Sequence, residues 1–204
     1  MAAPSHTDEH RDDLGSRFGM WLFIFTELLL FAGLFIVYTT YRYRNWQAFH
    51  LAADELDKFI GSLNTVILLT SSATIAMSIT ALQQKRKKLA LLLMGITILI
   101  GIAFLVNKYF EWGLKIHHGL YPGSETLREL GNGEVLFFGL YFFMTGLHAL
   151  HIIVGLVFIS FIFVYIIRNK VTFDNFVLLE NAGLYWHLVD IIWIFLFPLF
   201  YLIT

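Results

Sequence analysis

The residues best suited to chemistry lie inside segments that are otherwise fit for lipid. The last apolar run, ENAGLYWHLVDIIWIFLFPLFYLI, spans Glu180 to Ile203 and contains Glu180, His187 and Asp190. An ionisable side chain at membrane depth is costly unless it faces the bundle interior, a partner or a water path. We therefore expect these residues to carry the function.

On an α-helix, which turns by about 100° per residue, these three side chains form one polar stripe. Glu180 and His187 lie on nearly the same line, and Asp190 is about 60° away. The opposite side of the helix is apolar and carries Ile191, Ile194 and Phe195. The stripe is thus predicted to face inward while the other side meets lipid or apolar neighbours.

Two other apolar runs carry ionisable residues. Glu27 lies in RFGMWLFIFTELLLFAGLF, roughly 15 Å from the nearer membrane boundary at 1.5 Å per residue, and we expect a lone carboxylic acid there to be neutral. It is either a proton-related or lipid-related site or a hydrogen-bonded packing residue. His148 and His151 are three residues apart in GLYFFMTGLHALHIIVGLVF and so lie on one helix face.

These ionisable residues allow two interpretations. One is a metal site inside a helix bundle, with His148, His151, His187, Asp190 and Glu27 as ligands. The other, which we favour, is a buried polar seam whose members hydrogen-bond one another across helices and fix the packing. No phosphate-binding loop and no nucleophile beside a base occurs, so we predict no catalytic, cofactor-binding or metal-binding residue in this chain.

Composition places the chain in the membrane. Of its 204 residues, 58% are hydrophobic and only 14% are charged, whereas soluble domains approach a quarter charged. Cysteine is absent, which excludes disulfides and thiolate ligands. The net charge of −1 argues against nucleic acid as a partner. The N-terminus lacks the basic and apolar regions of a cleaved signal peptide.

Five runs are long enough to span a bilayer, which needs about 20 apolar residues. We predict an all-α polytopic bundle in which a polar N-terminal tail, 1–16, precedes a membrane domain, 17–204. The spans are predicted at about 18–41, 62–83, 89–110, 135–167 and 179–203. The cations Lys85, Arg86, Lys87 and Lys88 lie in one short loop, so the positive-inside rule predicts a cytoplasmic N-terminus and a C-terminus outside.

Several stretches together resemble subunit III of haem–copper respiratory oxidases. They are RFGMWLFIFTELLLFAGLF, LNTVILLTSSATIAM, KYFEW, TGLHALHIIVG and ENAGLYWHLVDIIWIFLFPLFYL, in the family's order and over about three-quarters of the chain. The resemblance implies a five-helix prokaryotic form, lacking two helices that precede the Glu-bearing one in many relatives. Glu27 matches the family's carbodiimide-reactive carboxylate, and Trp193 joins the polar seam of His148, His151, Glu180, His187 and Asp190.

The resemblance also implies partners and location. Such a subunit carries no haem or metal, packs on subunit I in a complex with subunit II, binds phospholipids, and supports proton uptake and turnover stability in the prokaryotic cytoplasmic membrane. Arg17 and Arg168 match basic residues near lipid head groups. Membership of a respiratory supercomplex is consistent with the resemblance.

Alternatives remain within and outside this family. Subunit III of a quinol oxidase and the accessory protein of nitric oxide reductase share the fold, and Glu27 favours the cytochrome c branch. A free-standing metal-dependent membrane hydroxylase is the alternative from another class. A proton-coupled transporter is disfavoured because no repeat or broken helix is evident.

Overall fold

The computed structural model describes residues 13–202, which form seven α-helices and no β-strand. They are α1 (Asp13–Arg44), α2 (Trp46–Asp54), α3 (Lys58–Gln83), α4 (Lys87–His117), α5 (Glu125–Leu130), α6 (Asn132–Ile167) and α7 (Val177–Tyr201). Helices α1, α3, α4, α6 and α7 are long and apolar enough to cross a membrane. The prediction of an all-α, five-span bundle is confirmed, and its orientation in the membrane stays a prediction.

The spans begin earlier than the apolar runs indicate. Helix α1 starts at Asp13, so residues 13–16 of the expected polar tail are helical, and residues 1–12 lie outside the described part. Helix α3 starts at Lys58 because the Asp57 carboxylate accepts hydrogen bonds from the backbone N–H groups of Phe59 and Ile60, at 2.8 and 3.1 Å. Helix α7 ends at Tyr201. Its apolar run was predicted to end at residue 203, which lies outside the described part.

We call the two ends of the bundle the N-terminal face and the C-terminal face. The N-terminal face holds the start of α1 and the connections α3–α4 and α6–α7. There the Lys87 ammonium group donates to the carbonyl of Ile167 at 3.0 Å and to Asn169 Oδ1 at 2.7 Å. Lys87, the first residue of α4, therefore caps the end of α6.

The C-terminal face carries the two longer connections, which fold into short helices. Helix α2 packs on α6 through Phe49, whose ring meets that of Phe137 edge-on at 5.4 Å. Helix α5 is capped at its N-terminus by Ser124, whose hydroxyl oxygen accepts a hydrogen bond from the N–H of Leu127, and the Leu127 side chain is fully buried. Parts of both loops are thus committed to this chain's own core.

Helix α7 lies at the centre and packs against α1, α3 and α6. Its Trp186 side chain fits between Gly101 of α4 and Gly155 of α6. A Cβ at Gly101 would approach Trp186 to 2.9 Å, and so would a Cβ at Gly155. Small residues permit this close approach, whereas Gly139 on the same helix α6 has no neighbour within 4 Å at its Cβ position.

Candidate functional site: polar contacts inside the bundle

Glu27 of α1 and His151 of α6 form a hydrogen-bonded pair. Glu27 Oε2 is 3.0 Å from His151 Nε2, and their side chains are 17% and 11% exposed. On its other side, His151 Nδ1 is 2.8 Å from the carbonyl oxygen of Leu147. Because a carbonyl only accepts, Nδ1 carries a hydrogen.

This tautomer leaves two states for the pair. Either a neutral Glu27 carboxyl donates to a neutral His151 ring, or a carboxylate accepts from an imidazolium ring. The two states differ only in the position of one proton along one hydrogen bond. Tyr185 fixes the same turn of α6, because its hydroxyl donates to the backbone carbonyl of His151 at 3.0 Å.

A second set of contacts joins α1 to α7 at the N-terminal face. Arg17 Nη2 is 2.7 Å from Glu180 Oε2, with 49% and 27% of the side chains exposed. The Asn181 amide donates to the Ser16 hydroxyl at 3.0 Å. An ion pair this exposed contributes at most about 1 kcal/mol, so it positions the helix ends more than it stabilises them.

A groove of about 370 Å³ opens beside this ion pair. It is lined by Arg17, Trp21, Ile79, Glu180, Asn181, Leu184 and His187. Arg168, the other basic residue expected near lipid, is exposed just after α6 and does not line the groove.

His187 and Asp190 both lie near Ser72 of α3. The Ser72 hydroxyl is 2.7 Å from His187 Nδ1. It also lies beside the Asp190 carboxyl group, but neither Asp190 oxygen has a hydrogen bond within residues 13–202. Asp190 is 3% exposed.

His148 and Trp193 meet deeper in the core. Their rings stack with centroids 5.3 Å apart, and Phe104 meets His148 edge-on at 5.7 Å. The Trp193 indole N–H donates to Thr65 Oγ1 at 3.1 Å. Both ring nitrogens of His148 are without a hydrogen bond among the described residues.

The six residues expected to form one seam therefore do not bond one another. No side-chain hydrogen bond within the described part of the chain joins any two of them. Residues three apart on a helix differ by about 60° in direction, which turns His151 toward α1 and His148 toward α4 and α7. On α7, the stripe likewise divides between α1 at Glu180 and α3 at His187.

The most extensive polar cluster lies near the C-terminal face and is centred on Lys108. The Lys108 ammonium group donates to Glu111 at 3.0 Å, to the Tyr141 hydroxyl at 3.1 Å and to the Tyr201 hydroxyl at 2.9 Å. Tyr141 donates to Glu111 Oε1 at 2.6 Å, and Tyr201 donates to the same oxygen. We call these four residues the Lys108 cluster.

Glu111 follows Lys108 by three residues and precedes Lys115 by four, so on a helix it can pair with either lysine. The pairing with Lys108 occurs, but both side chains are buried, 2% and 3% exposed. The Lys–Glu spacing was a usable signal. The sequence gives no such signal for Tyr141 and Tyr201, because their positions next to the pair depend on how α6 and α7 pack against α4.

The described residues contain no group of three or more His, Cys, Asp or Glu side chains that could hold a metal ion. The five residues of the metal-site interpretation are divided among separate contacts. The geometry between residues 13 and 202 thus gives no support to a hydroxylase centre.

A family model for cytochrome c oxidase subunit III matches residues 3–204. The chain belongs to this family. Among similar proteins are the cytochrome bo(3) ubiquinol oxidase subunit 3 of Pseudomonas aeruginosa, 29% identical over 97% of this chain and 90% of that protein, and the cytochrome c oxidase subunit 3 of Alkalihalophilus pseudofirmus, 28% identical over 98% and 92%.

The cytochrome c oxidase subunit 3 of Mammuthus primigenius is 30% identical over 90% of this chain but only 67% of its own length. The family places the chain among subunits III of haem–copper oxidases, which are oxidoreductase complexes, and does not favour the hydroxylase alternative.

Proposed function

We propose that this chain is the accessory subunit III of a proton-pumping terminal oxidase that reduces O₂ to water in aerobic respiration. It packs on subunit I, assembles with subunit II, and lies in the prokaryotic cytoplasmic membrane with its N-terminus in the cytoplasm. Haem and copper belong to the partner subunits, and this chain supplies no catalytic residue. Family membership over nearly the whole chain supports this assignment.

The Glu27–His151 pair is the observation that carries a proton-related supporting role. The pair holds α1 against α6, and one proton can lie on either side of its 3.0 Å hydrogen bond without changing the net charge of the pair. The contact between the two helices is therefore kept wherever that proton lies. A group directly in the proton path would instead need a second partner to pass the proton onward.

The groove beside Arg17 suits a phospholipid head group. The guanidinium group has five N–H donors, and one is hydrogen-bonded to Glu180. The remaining donors can reach phosphate oxygens, and Trp21 is exposed at the level where aromatic side chains favour the membrane interface. Arg168 is a second, separate candidate for a head-group contact.

The proposal has two candidate electron donors, cytochrome c and a quinol. Relatives named for ubiquinol and for cytochrome c are equally similar, at 29% and 28% identity. We propose cytochrome c on the basis of Glu27, with quinol as the second candidate. Rates of O₂ consumption with reduced cytochrome c and with a quinol, measured on one preparation, decide between them.

The assembly itself is tested by purification through an affinity tag at the C-terminus of this chain. Subunits I and II with haem absorbance and copper are expected to co-purify, and the separated chain should contain no stoichiometric metal. A chain that purifies alone with bound iron or zinc would contradict the proposal.

A further inference from the structure

Asp190 is a carboxyl group in the middle of the bundle without a hydrogen-bond partner in the described part of the chain. It lies 13 residues after Val177, the start of α7, or about 20 Å along the helix. Its side chain is 3% exposed, neither oxygen accepts a hydrogen bond, and no ion pair among residues 13–202 includes it. A bare carboxylate is strongly disfavoured in such surroundings, whereas a neutral carboxylic acid needs no counter-charge.

A chain of hydrogen-bonding groups leads from this carboxyl group toward the N-terminal face. Ser72 lies beside Asp190, and its hydroxyl is 2.7 Å from Nδ1 of His187. The His187 side chain lines the groove that also contains Arg17 and Glu180. A serine hydroxyl can donate one hydrogen while accepting another, and an imidazole ring can do so through its two nitrogens.

We propose that Asp190 is a proton-binding site that exchanges its proton with the N-terminal face through Ser72 and His187. On release, the Asp190 O–H bond breaks as the carboxyl group donates to Ser72 Oγ, and the Ser72 hydrogen passes to His187 Nδ1. His187 then gives its Nε2 hydrogen to water or another base in the groove. One proton leaves, Asp190 becomes a carboxylate, and uptake is the reverse sequence.

The charged residues near this path provide no counter-charge for a carboxylate at Asp190. Arg17 on α1 and Glu180 on α7 line the groove and pair with each other. Ser72 on α3 is neutral, and no charged side chain of the described residues forms a hydrogen bond or an ion pair with His187 or Asp190. The carboxylate is therefore short-lived, and the site stores a proton instead of conducting protons onward.

This inference goes beyond the accessory role and does not depend on which oxidase contains the chain. Infrared spectroscopy of the full chain in its purified complex can test it, since a protonated carboxyl group has a C=O stretching band distinct from that of a carboxylate. We expect Asp190→Asn to remove such a band from the spectrum of the parent protein, and we expect Glu27→Gln to retain the band that Asp190→Asn removes. A spectrum that Asp190→Asn leaves unchanged would overturn the proposal.

The path is tested by transfer into D₂O, which shifts the band as the proton exchanges. Ser72→Ala should slow this shift about tenfold or more, because one hydrogen-bonded step is lost. Ser72→Thr keeps the hydroxyl and should restore the parent rate. The matched control is Ser78→Ala, because Ser78 is buried on the same helix but donates only to the Ile75 carbonyl.

The outcomes separate this proposal from the assembly proposal. An exchange rate that Ser72→Ala does not change, or that Ser78→Ala slows equally, would refute the path. Failure to recover a haem-bearing partner would refute the accessory function while leaving the Asp190 band measurable on the chain itself.

Discussion

Replacing Lys108 with methionine tests how far the Lys108 cluster holds the C-terminal end of the bundle together. The ammonium group makes three hydrogen bonds, at 2.9 to 3.1 Å, to residues of α4, α6 and α7. Methionine keeps an unbranched apolar side chain of similar length and removes every donor. The substitution therefore isolates the loss of the charge and its hydrogen bonds from a loss of packing.

The size of the effect follows from burial. Lys108 and Glu111 are 2% and 3% exposed, and removing one member of a buried ion pair costs about 3–5 kcal/mol because the other charge is left uncompensated. The Lys58–Asp54 pair, at 3.4 Å with side chains 47% and 52% exposed, is the internal reference. Removing such an exposed pair costs at most about 1 kcal/mol.

The assay is a double-mutant cycle on free energies of unfolding, measured in one detergent for Lys108→Met, Glu111→Gln and the double variant, with Lys58→Met as the matched control. Each single change should cost about 3–5 kcal/mol. The double variant should cost less than their sum by about 1–3 kcal/mol, because it leaves no lone charge. A Lys108→Met cost no larger than that of Lys58→Met, or strict additivity, would refute the reasoning.

Three further predictions concern single contacts. Glu27→Gln should leave assembly and the initial rate of O₂ reduction nearly unchanged, because an amide keeps one hydrogen bond to His151; oxygen-electrode rates check this, and abolished turnover in an assembled complex would contradict it. His187→Leu leaves the Ser72 hydroxyl without its partner at a cost of about 1–3 kcal/mol, so the complex should lose this subunit more readily during purification; unchanged retention and thermal stability would count against that contact. Gly155→Ala puts a Cβ 2.9 Å from Trp186 and should cost about 1–3 kcal/mol of unfolding free energy. Gly139→Ala places its Cβ where no atom lies within 4 Å and should be nearly neutral. Equal losses of unfolding free energy in the two variants would show that the fit of Trp186 against Gly155 does not limit packing.

The spans could be predicted from the sequence because a bilayer fixes both the length and the polarity of a crossing helix. Helix α4 shows the limit of this argument. Its apolar run was predicted to end at 110, but the helix continues to His117. Lys108, Glu111 and Lys115 lie near or beyond the predicted end of this span, yet all three are buried. Lys108 donates a hydrogen bond to Glu111, and Lys115 donates to the backbone carbonyl of Glu55.

The partners of the polar residues could not be predicted in the same way. Spacing along one helix gives the direction of each side chain, which is why the apolar side of α7 with Ile191, Ile194 and Phe195 is exposed as expected. It does not give which helix lies in that direction. The pairing of His151 with Glu27, 124 positions away in sequence, depends on the order in which five helices pack.

The contacts of α1 have a consequence for how the chain is made. Within the described residues the backbone of α1 packs near α2, α6 and α7 and lies farther from α3 and α4. During synthesis α1 is made before these partners: His151 is still to be translated when Glu27 has been made, and Glu180, the partner of Arg17, comes only in α7. The nascent protein therefore completes the side-chain contacts of α1 only after α6 and α7 have been made, and a ribosome that stops before α7 leaves α1 without the ion pair between Arg17 and Glu180.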